Sequence, residues 1–156
     1  MTDVKQRLES LSIELPVLGA PRYAYEASTR WGNLLWISGQ ISRTAAGDIL
    51  RGRLGDTATV EAGIVAAETA AINLLARMND AVGLDQVQQI LKLDIHVASA
   101  PDFVEQPTVA DGASRLLRSV LGDAGRHART ALPAHVLPQG ALVEIDATVA
   151  VRTADN

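Results

Sequence analysis

The sequence carries two different hydrophobic periods, and this combination is what most limits the folds open to it. Apolar residues recur every three or four positions through 60–82, which predicts a helix with Thr57 or Thr59 as its N-cap and Gly83 as its end. Through Leu142–Val151 they alternate with less apolar residues, which predicts a strand with one buried face. Each such element buries one side, so the chain must pack helices against a sheet.

The other segments extend this series of elements. A second helix is predicted at Thr108–Leu121, where Thr108 and Asp111 have the spacing of a capping box. Pro133 weakens the strand predicted around it, because proline cannot donate a ladder hydrogen bond. The order predicts an α+β fold, a sheet with two helices on one face. The remaining predicted elements are a helical turn at Arg7–Leu11 and strands at Tyr23–Ala27, Asn33–Gln40, Ile90–Val97 and Arg129–Leu137.

Two of these strands have different apolar patterns. Leu34–Ile37 is apolar at every position, and a strand of that kind is buried on both faces. In Ile90–Val97 the apolar residues alternate with Lys92, Asp94 and His96, so one face is predicted to be buried, with Leu91 on it. Two helices cover one face of a sheet, so we expect a second copy of the chain to cover the other.

Composition and charge exclude several classes of protein. The 156 residues fit a single domain over 1–156, in which 1–21 forms an N-terminal extension. The formal charge of −4 argues against a general binder of nucleic acids or membrane surfaces. There is no cysteine, hence no thiolate nucleophile, and the three histidines lack metal-ligand spacing. We expect no metal, no cofactor, no membrane association and, without a signal-peptide pattern, a cytoplasmic protein.

The side chains best suited to chemistry lie in the C-terminal third. Arg129 begins one predicted strand, and Glu144 and Asp146 share the less apolar face of the next. If these strands pair antiparallel, a guanidinium and a carboxylate converge over the sheet. Arginine can grip a substrate carboxylate with two parallel hydrogen bonds, and a glutamate can orient a water. The alternative is a structural ion pair between strands.

Three blocks of sequence resemble the Rid proteins, the reactive intermediate deaminases also called YjgF-like or L-PSP endoribonuclease-like. The blocks are Gly32–Gln40, Ala128–Thr130 with Leu137-Pro138 after it, and Val143–Ala147. Their order and spacing agree with that family over about 23–152, and 102–114 resembles a longer-loop subgroup. The resemblance implies a chorismate-mutase-like fold and a homotrimer with a central barrel. It places ligand sites in the clefts between subunits.

The resemblance also implies an activity and a set of residues. The activity is hydrolysis of enamine and imine intermediates such as 2-aminoacrylate to 2-keto acids and ammonia. Asp111, where asparagine is usual, brings a negative charge close to the carboxylate site. Ala131 replaces a common cysteine, and Pro133 alters the usual strand. By position, Arg129 corresponds to the arginine that binds the substrate carboxylate, Glu144 to the glutamate that positions water, and Tyr25, Ser38, Gly39, Ala131 and Asp111 to the substrate-binding positions.

Other functions remain open on the sequence alone. One is a trimeric protein that binds small carboxylates without turnover. Another is the endoribonuclease activity of the older family name. The −4 charge argues against it, and so does the small number of aromatic residues, five, that could stack on bases. Arg22, Arg30, Arg51 and Arg53 could cluster in support of it, or form a solvated rim. Chorismate mutase activity would rest on fold analogy alone.

Overall fold

The structure is a computed structural model that describes residues 3–152. Five strands form one mixed sheet in the order β1-β2-β5-β3-β4, in which only β3 and β4 run parallel. This confirms the predicted α+β class. The elements are α1 Val4–Ser10, β1 Ser28–Trp31, β2 Leu34–Ile41, α2 Val60–Val82, β3 Val87–Ala98, α3 Gln106–Leu121, β4 Ala128–Ala134 and β5 Val143–Val151.

Both long helices pack on the same face of the sheet, as predicted. α2 begins at the N-cap Thr59, whose side chain accepts a hydrogen bond from the backbone of Ala62, and ends at Gly83 with φ +84°. Alternate residues of β2, β3 and β5 meet α2 and α3 in one apolar core. Within residues 3–152 the other face of the sheet carries no helix, and we call it the helix-free face.

The predicted capping box of the second helix is wrong. α3 begins two residues earlier than predicted, and its N-cap Glu105 makes no side-chain capping bond. Asp111 therefore lies inside the helix rather than in its first turn, where its carboxylate is free to contact a neighbouring strand. The N-terminal helix also begins before the predicted Arg7, at Val4.

Three strand predictions need correction. Tyr23–Ala27 is not a strand, and β1 lies just after it. A pairing irregularity between Ile90 and Lys92 of β3 leaves Leu91 40% exposed rather than on the buried face. Leu34–Ile37 is buried on only one side within this chain, because Leu35 and Ile37 enter the core while Trp36 is 41% exposed.

The sheet order corrects the pairing assumed for the C-terminal strands. β4 does not pair with β5, because β3 lies between them. β4 is an edge strand, which explains how it tolerates Pro133. Its end at Ala134 also falls three residues before the predicted Leu137.

Candidate functional site

Four of the predicted site residues line one cleft of about 1000 Å³: Tyr25, Ser38, Gly39 and Glu144. The Ser38 hydroxyl donates to the carbonyl of Glu26 at 2.6 Å, and the Ser38 amide donates to that of Ala27 at 3.0 Å. These two bonds hold the segment that carries Tyr25 against β2. Tyr25 remains 51% exposed, so its ring is available to a ligand.

Gly39 supplies the space that the carboxylate of Glu144 occupies. The pairing of β2 with β5 shifts between Ile37 and Gln40, and Gly39 lies in this irregularity. A Cβ atom added to Gly39 would overlap Oε1 of Glu144 and lie 3.0 Å from its Cδ. The absence of a Cβ at Gly39 therefore lets the carboxylate of Glu144 take this position, and any larger residue would displace it.

Glu144 has the electrostatic environment of a proton-transfer group. Burial raises the pKa of Glu144 above its ordinary value, while nearby His96 lowers it and Asp146 raises it. Burial likewise raises the pKa of Asp146, and Asp94, which stands opposite it on β3, raises it further. A half-buried carboxyl with a raised pKa beside a cleft is suited to taking a proton from water.

Arg129 lies elsewhere, in a network against the first half of α3. Its Nη1 donates to Asp111 Oδ1 at 2.8 Å and to Ser114 Oγ at 3.0 Å, and its Nη2 donates to the carbonyl of Pro107 at 3.3 Å. The Arg129 side chain is only 21% exposed. Ala131, two residues along β4, packs against the main core on the same side.

The network contains two residues that sequence reasoning missed, Ser114 and His127. His127 Nδ1 lies 2.7 Å from the carbonyl of Gly125, so it carries the proton, and Nε2 accepts from the Ser114 hydroxyl at 2.9 Å. Burial lowers the pKa of His127, and Arg129 and Arg118 lower it further against the raising effect of the Gly125 bond. The spacing of Ser114 three residues after Asp111 was an available signal, since such residues share a helix face.

The chain itself does not bring Arg129 and Glu144 together. Arg129 pairs with Leu93 on β3, a core residue, whereas Glu144 pairs with His96 on the helix-free face. Two strand spacings across the sheet and three residues along it place their Cα atoms about 14 Å apart. The two side chains also leave opposite faces of the sheet. The candidate site is therefore divided into a cleft half, around Glu144, and an arginine half, around Arg129.

The four arginines considered for nucleic acid do not line one common cavity. Arg22 lines the large cleft, and Arg30 donates to the carbonyls of Gly32 and Arg152. Arg51 and Arg53 border a second cavity of about 410 Å³. Within residues 3–152, no group of three His, Asp or Glu side chains is placed to hold a metal ion, and no helix is long and apolar enough to cross a membrane.

Comparison with known proteins decides the family. The model of the family described as "YjgF/chorismate_mutase-like, putative endoribonuclease" matches residues 5–149. The chain belongs to this family. Protein TCP17 of Trypanosoma cruzi is 42% identical to this chain over 148 residues, which are 94% of this chain and 92% of that protein.

Solved structures give the same result. A protein of unknown function from Agrobacterium tumefaciens is 40% identical with a TM-score of 0.88, over 96% of this chain and 92% of the other. A structure from Shewanella oneidensis described as a putative endoribonuclease is 32% identical with a TM-score of 0.91, over 96% and 100%. RidA from Psychrobacter is 22% identical with a TM-score of 0.59, over 85% and 92%, and shows that the YjgF-like fold is shared.

Proposed function

We propose that the protein hydrolyses reactive enamine and imine intermediates of the 2-aminoacrylate type to carbonyl compounds and ammonia. The observation that carries the proposal is Glu144, whose half-buried carboxyl with a raised pKa lies over Gly39 in a cleft shared with Tyr25 and Ser38. Membership of the YjgF/chorismate mutase-like family and the resemblance to the Rid proteins support it.

The reaction makes modest demands on the protein. Once the enamine has tautomerised, the carbon of the protonated imine is already electrophilic. A water positioned by Glu144 adds to that carbon, and the carboxylate accepts the proton that the water loses. The resulting carbinolamine expels ammonia as the carbonyl forms, with the proton returned to nitrogen. Holding the imine and the water together supplies most of the acceleration.

The arginine half completes the site only if a second copy of the chain contributes it. We propose this arrangement because Arg129 and Glu144 lie on different strands and opposite faces of one sheet. The helix-free face exposes Trp36 and Leu132, 41% and 48% respectively, on which a second copy can pack. A homotrimer with a site at each subunit boundary is the form that the family resemblance implies.

An assay with 2-aminoacrylate released in situ by a serine dehydratase tests the activity. We expect the protein to accelerate pyruvate formation, and Glu144→Gln and Arg129→Ala each to abolish the acceleration. Arg126→Ala, which changes an arginine that is 65% exposed and pairs with Asp123 outside both halves of the site, serves as the control and keeps the activity. A wild-type protein that binds pyruvate without accelerating its formation would establish the non-catalytic binder instead.

Mixing two inactive variants tests the shared site. If each site takes Arg129 from one subunit and Glu144 from the next, equal amounts of Arg129→Ala and Glu144→Gln refolded together recover about one quarter of the wild-type activity, by random assembly around a cyclic trimer. No recovery, with mixed oligomers confirmed by native mass spectrometry, would contradict a site between subunits. Cleavage of single-stranded RNA that survives both substitutions would favour the ribonuclease function.

A further inference from the structure

We propose that Asp111 makes this site select imines that carry an uncharged carboxamide, rather than a carboxylate, beside the reacting carbon. This inference rests on the proposed imine hydrolysis and narrows its substrate. The observation behind it is the ion pair between Arg129 Nη1 and Asp111 Oδ1, 2.8 Å apart, within one chain. The guanidinium of Arg129, which would receive the carboxylate of a substrate, is therefore already paired with the carboxylate of Asp111.

The hydrogen bonds of Arg129 leave little of the guanidinium for a ligand. Of its five N–H donors, two on Nη1 bind Asp111 and Ser114, and one on Nη2 binds the carbonyl of Pro107. Nε and the second hydrogen of Nη2 remain as donors. They suffice for one acceptor oxygen, and the carboxylate of Asp111, 2.8 Å from Nη1, offsets part of the attraction of Arg129 for an anion.

The network also keeps Arg129 from turning away from Asp111. Ser114, which accepts from Nη1, is itself fixed by its bond to His127, and His127 is fixed by the carbonyl of Gly125. A ligand must therefore meet the Arg129 and Asp111 pair as a unit. The second oxygen of Asp111 makes one long contact, 3.4 Å to the exposed Arg115. Because the Asp111 side chain is also 43% exposed, this carboxylate can accept a hydrogen bond from a ligand.

A primary amide is complementary to such a pair, and a carboxylate is not. The amide oxygen accepts from Arg129 while the amide nitrogen donates to Asp111. A carboxylate in the same place has no hydrogen to donate and sets a second negative charge against Asp111. Hydrolysis of the amide-bearing imine is balanced in the same way, one water entering and one ammonia leaving, and yields a 2-oxo amide.

Two isosteric product analogues test this selection, 2-oxobutanamide and 2-oxobutanoate. Each is titrated into ¹⁵N-labelled full-length protein while the Nε–H signal of Arg129 and the amide signal of Ala131 are followed. For the wild type we expect the amide to bind at least tenfold more tightly than the acid. In Asp111→Asn the partner becomes an amide that can donate to a carboxylate, so we expect the preference to reverse.

Asp123→Asn is the matched control, because Asp123 also pairs with an arginine, is 96% exposed, and contacts Arg126 rather than Arg129. It should keep the wild-type preference, which separates a local effect from a change of net charge. The inference is overturned if the wild type prefers the acid, if Asp111→Asn leaves the ratio unchanged, or if neither analogue shifts the Arg129 signal.

The same variants separate this inference from the proposed function. Accelerated pyruvate formation together with an unchanged amide-to-acid ratio in Asp111→Asn would leave imine hydrolysis standing and remove the role of Asp111. The second outcome is the expected amide-to-acid binding preference in both proteins, with no imine hydrolysis by wild type or Asp111→Asn. It would remove the catalytic function and retain Asp111 as the residue that selects the ligand.

Discussion

The cleft half and the arginine half of the candidate site are built in different ways. In the cleft half, the Glu144 side chain makes no ion pair within residues 3–152. Burial raises the pKa of Glu144, and the absence of a Cβ at Gly39 leaves room for its carboxylate. Around Arg129 every neighbouring polar group is joined to the next, from Asp111 through Ser114 to His127. The first arrangement keeps a group reactive, and the second holds a group in place.

The difference implies that the two halves respond to mutation differently. Changes in the cleft half should alter activity and leave the fold intact, since little in the structure depends on Glu144. Changes in the arginine half should reduce stability as well, because they leave polar groups without partners. Each of the following predictions tests one side of this comparison.

The largest effect is expected from Gly39→Ala. The added methyl group must displace the carboxylate of Glu144, so imine hydrolysis should fall by about 100-fold or more, the contribution typical of acid–base catalysis. The melting temperature should hardly change, because the displaced group is the end of a flexible side chain. Gly19→Ala is the matched control, since it adds a methyl group to the same cleft without meeting Glu144 or any other atom within 4 Å. Full activity in Gly39→Ala would show that the position of Glu144 is unimportant.

A stability effect is expected from Arg129→Ala. It removes three hydrogen bonds and leaves Asp111 and Ser114 with one partner fewer each, which should lower the free energy of unfolding in urea by about 2 kcal/mol. Glu144→Ala should cost far less. Equal losses for the two variants would contradict the division into a reactive half and a fixed half.

The titration of His127 gives a smaller effect. Its pKa is lowered in the folded protein, so the unfolded chain takes up the proton first, and stability is lost as pH falls from about 7 to 5. Relative to His127→Gln, the wild type should lose stability over this interval, measured by urea unfolding. An NMR titration of the histidine side chains should give His127 a pKa below the ordinary value for histidine.

The smallest effect is a gain in stability for Glu144→Gln. The raised pKa of Glu144 means that the folded state holds its proton to higher pH than the unfolded chain does. Ionisation therefore costs stability as pH rises above about 4, and the glutamine variant should be the more stable of the two at pH 7. The difference should vanish near pH 4. A variant less stable than the wild type at pH 7 would show that the charged carboxylate stabilises the fold.

Much of the fold could be predicted from local patterns. The apolar period of α2 and its stop at Gly83 are local, and the observed bounds agree closely. The start of α3 was missed because Thr108 and Asp111 imitate a capping box, while the observed N-cap Glu105 offers no side-chain bond. The strand at Tyr23–Ala27 was misplaced because the strand that pairs with β2 comes five residues later, a choice made by pairing rather than propensity.

The candidate site was predictable in its residues but not in its arrangement. The resemblance named Tyr25, Ser38, Gly39 and Glu144, and the structure brings these four to one cleft. It also named Arg129, yet the expected convergence with Glu144 assumed that their strands are neighbours. The sequence of β4 or of β5 alone does not indicate that β3 lies between these two strands. Ser114 and His127 were missed because their importance comes only from contact with Arg129.

The sequence by itself determined the two long helices, most of the strands and the residue types available for chemistry. These follow from hydrophobic periods and side-chain chemistry, which act over a few residues. Only the tertiary structure decided the strand order, and with it the separation of Arg129 from Glu144 and the pairing of Arg129 with Asp111. The physical reason is that strand pairing and ion pairing join residues far apart in the chain, and the packing of the whole sheet selects between them.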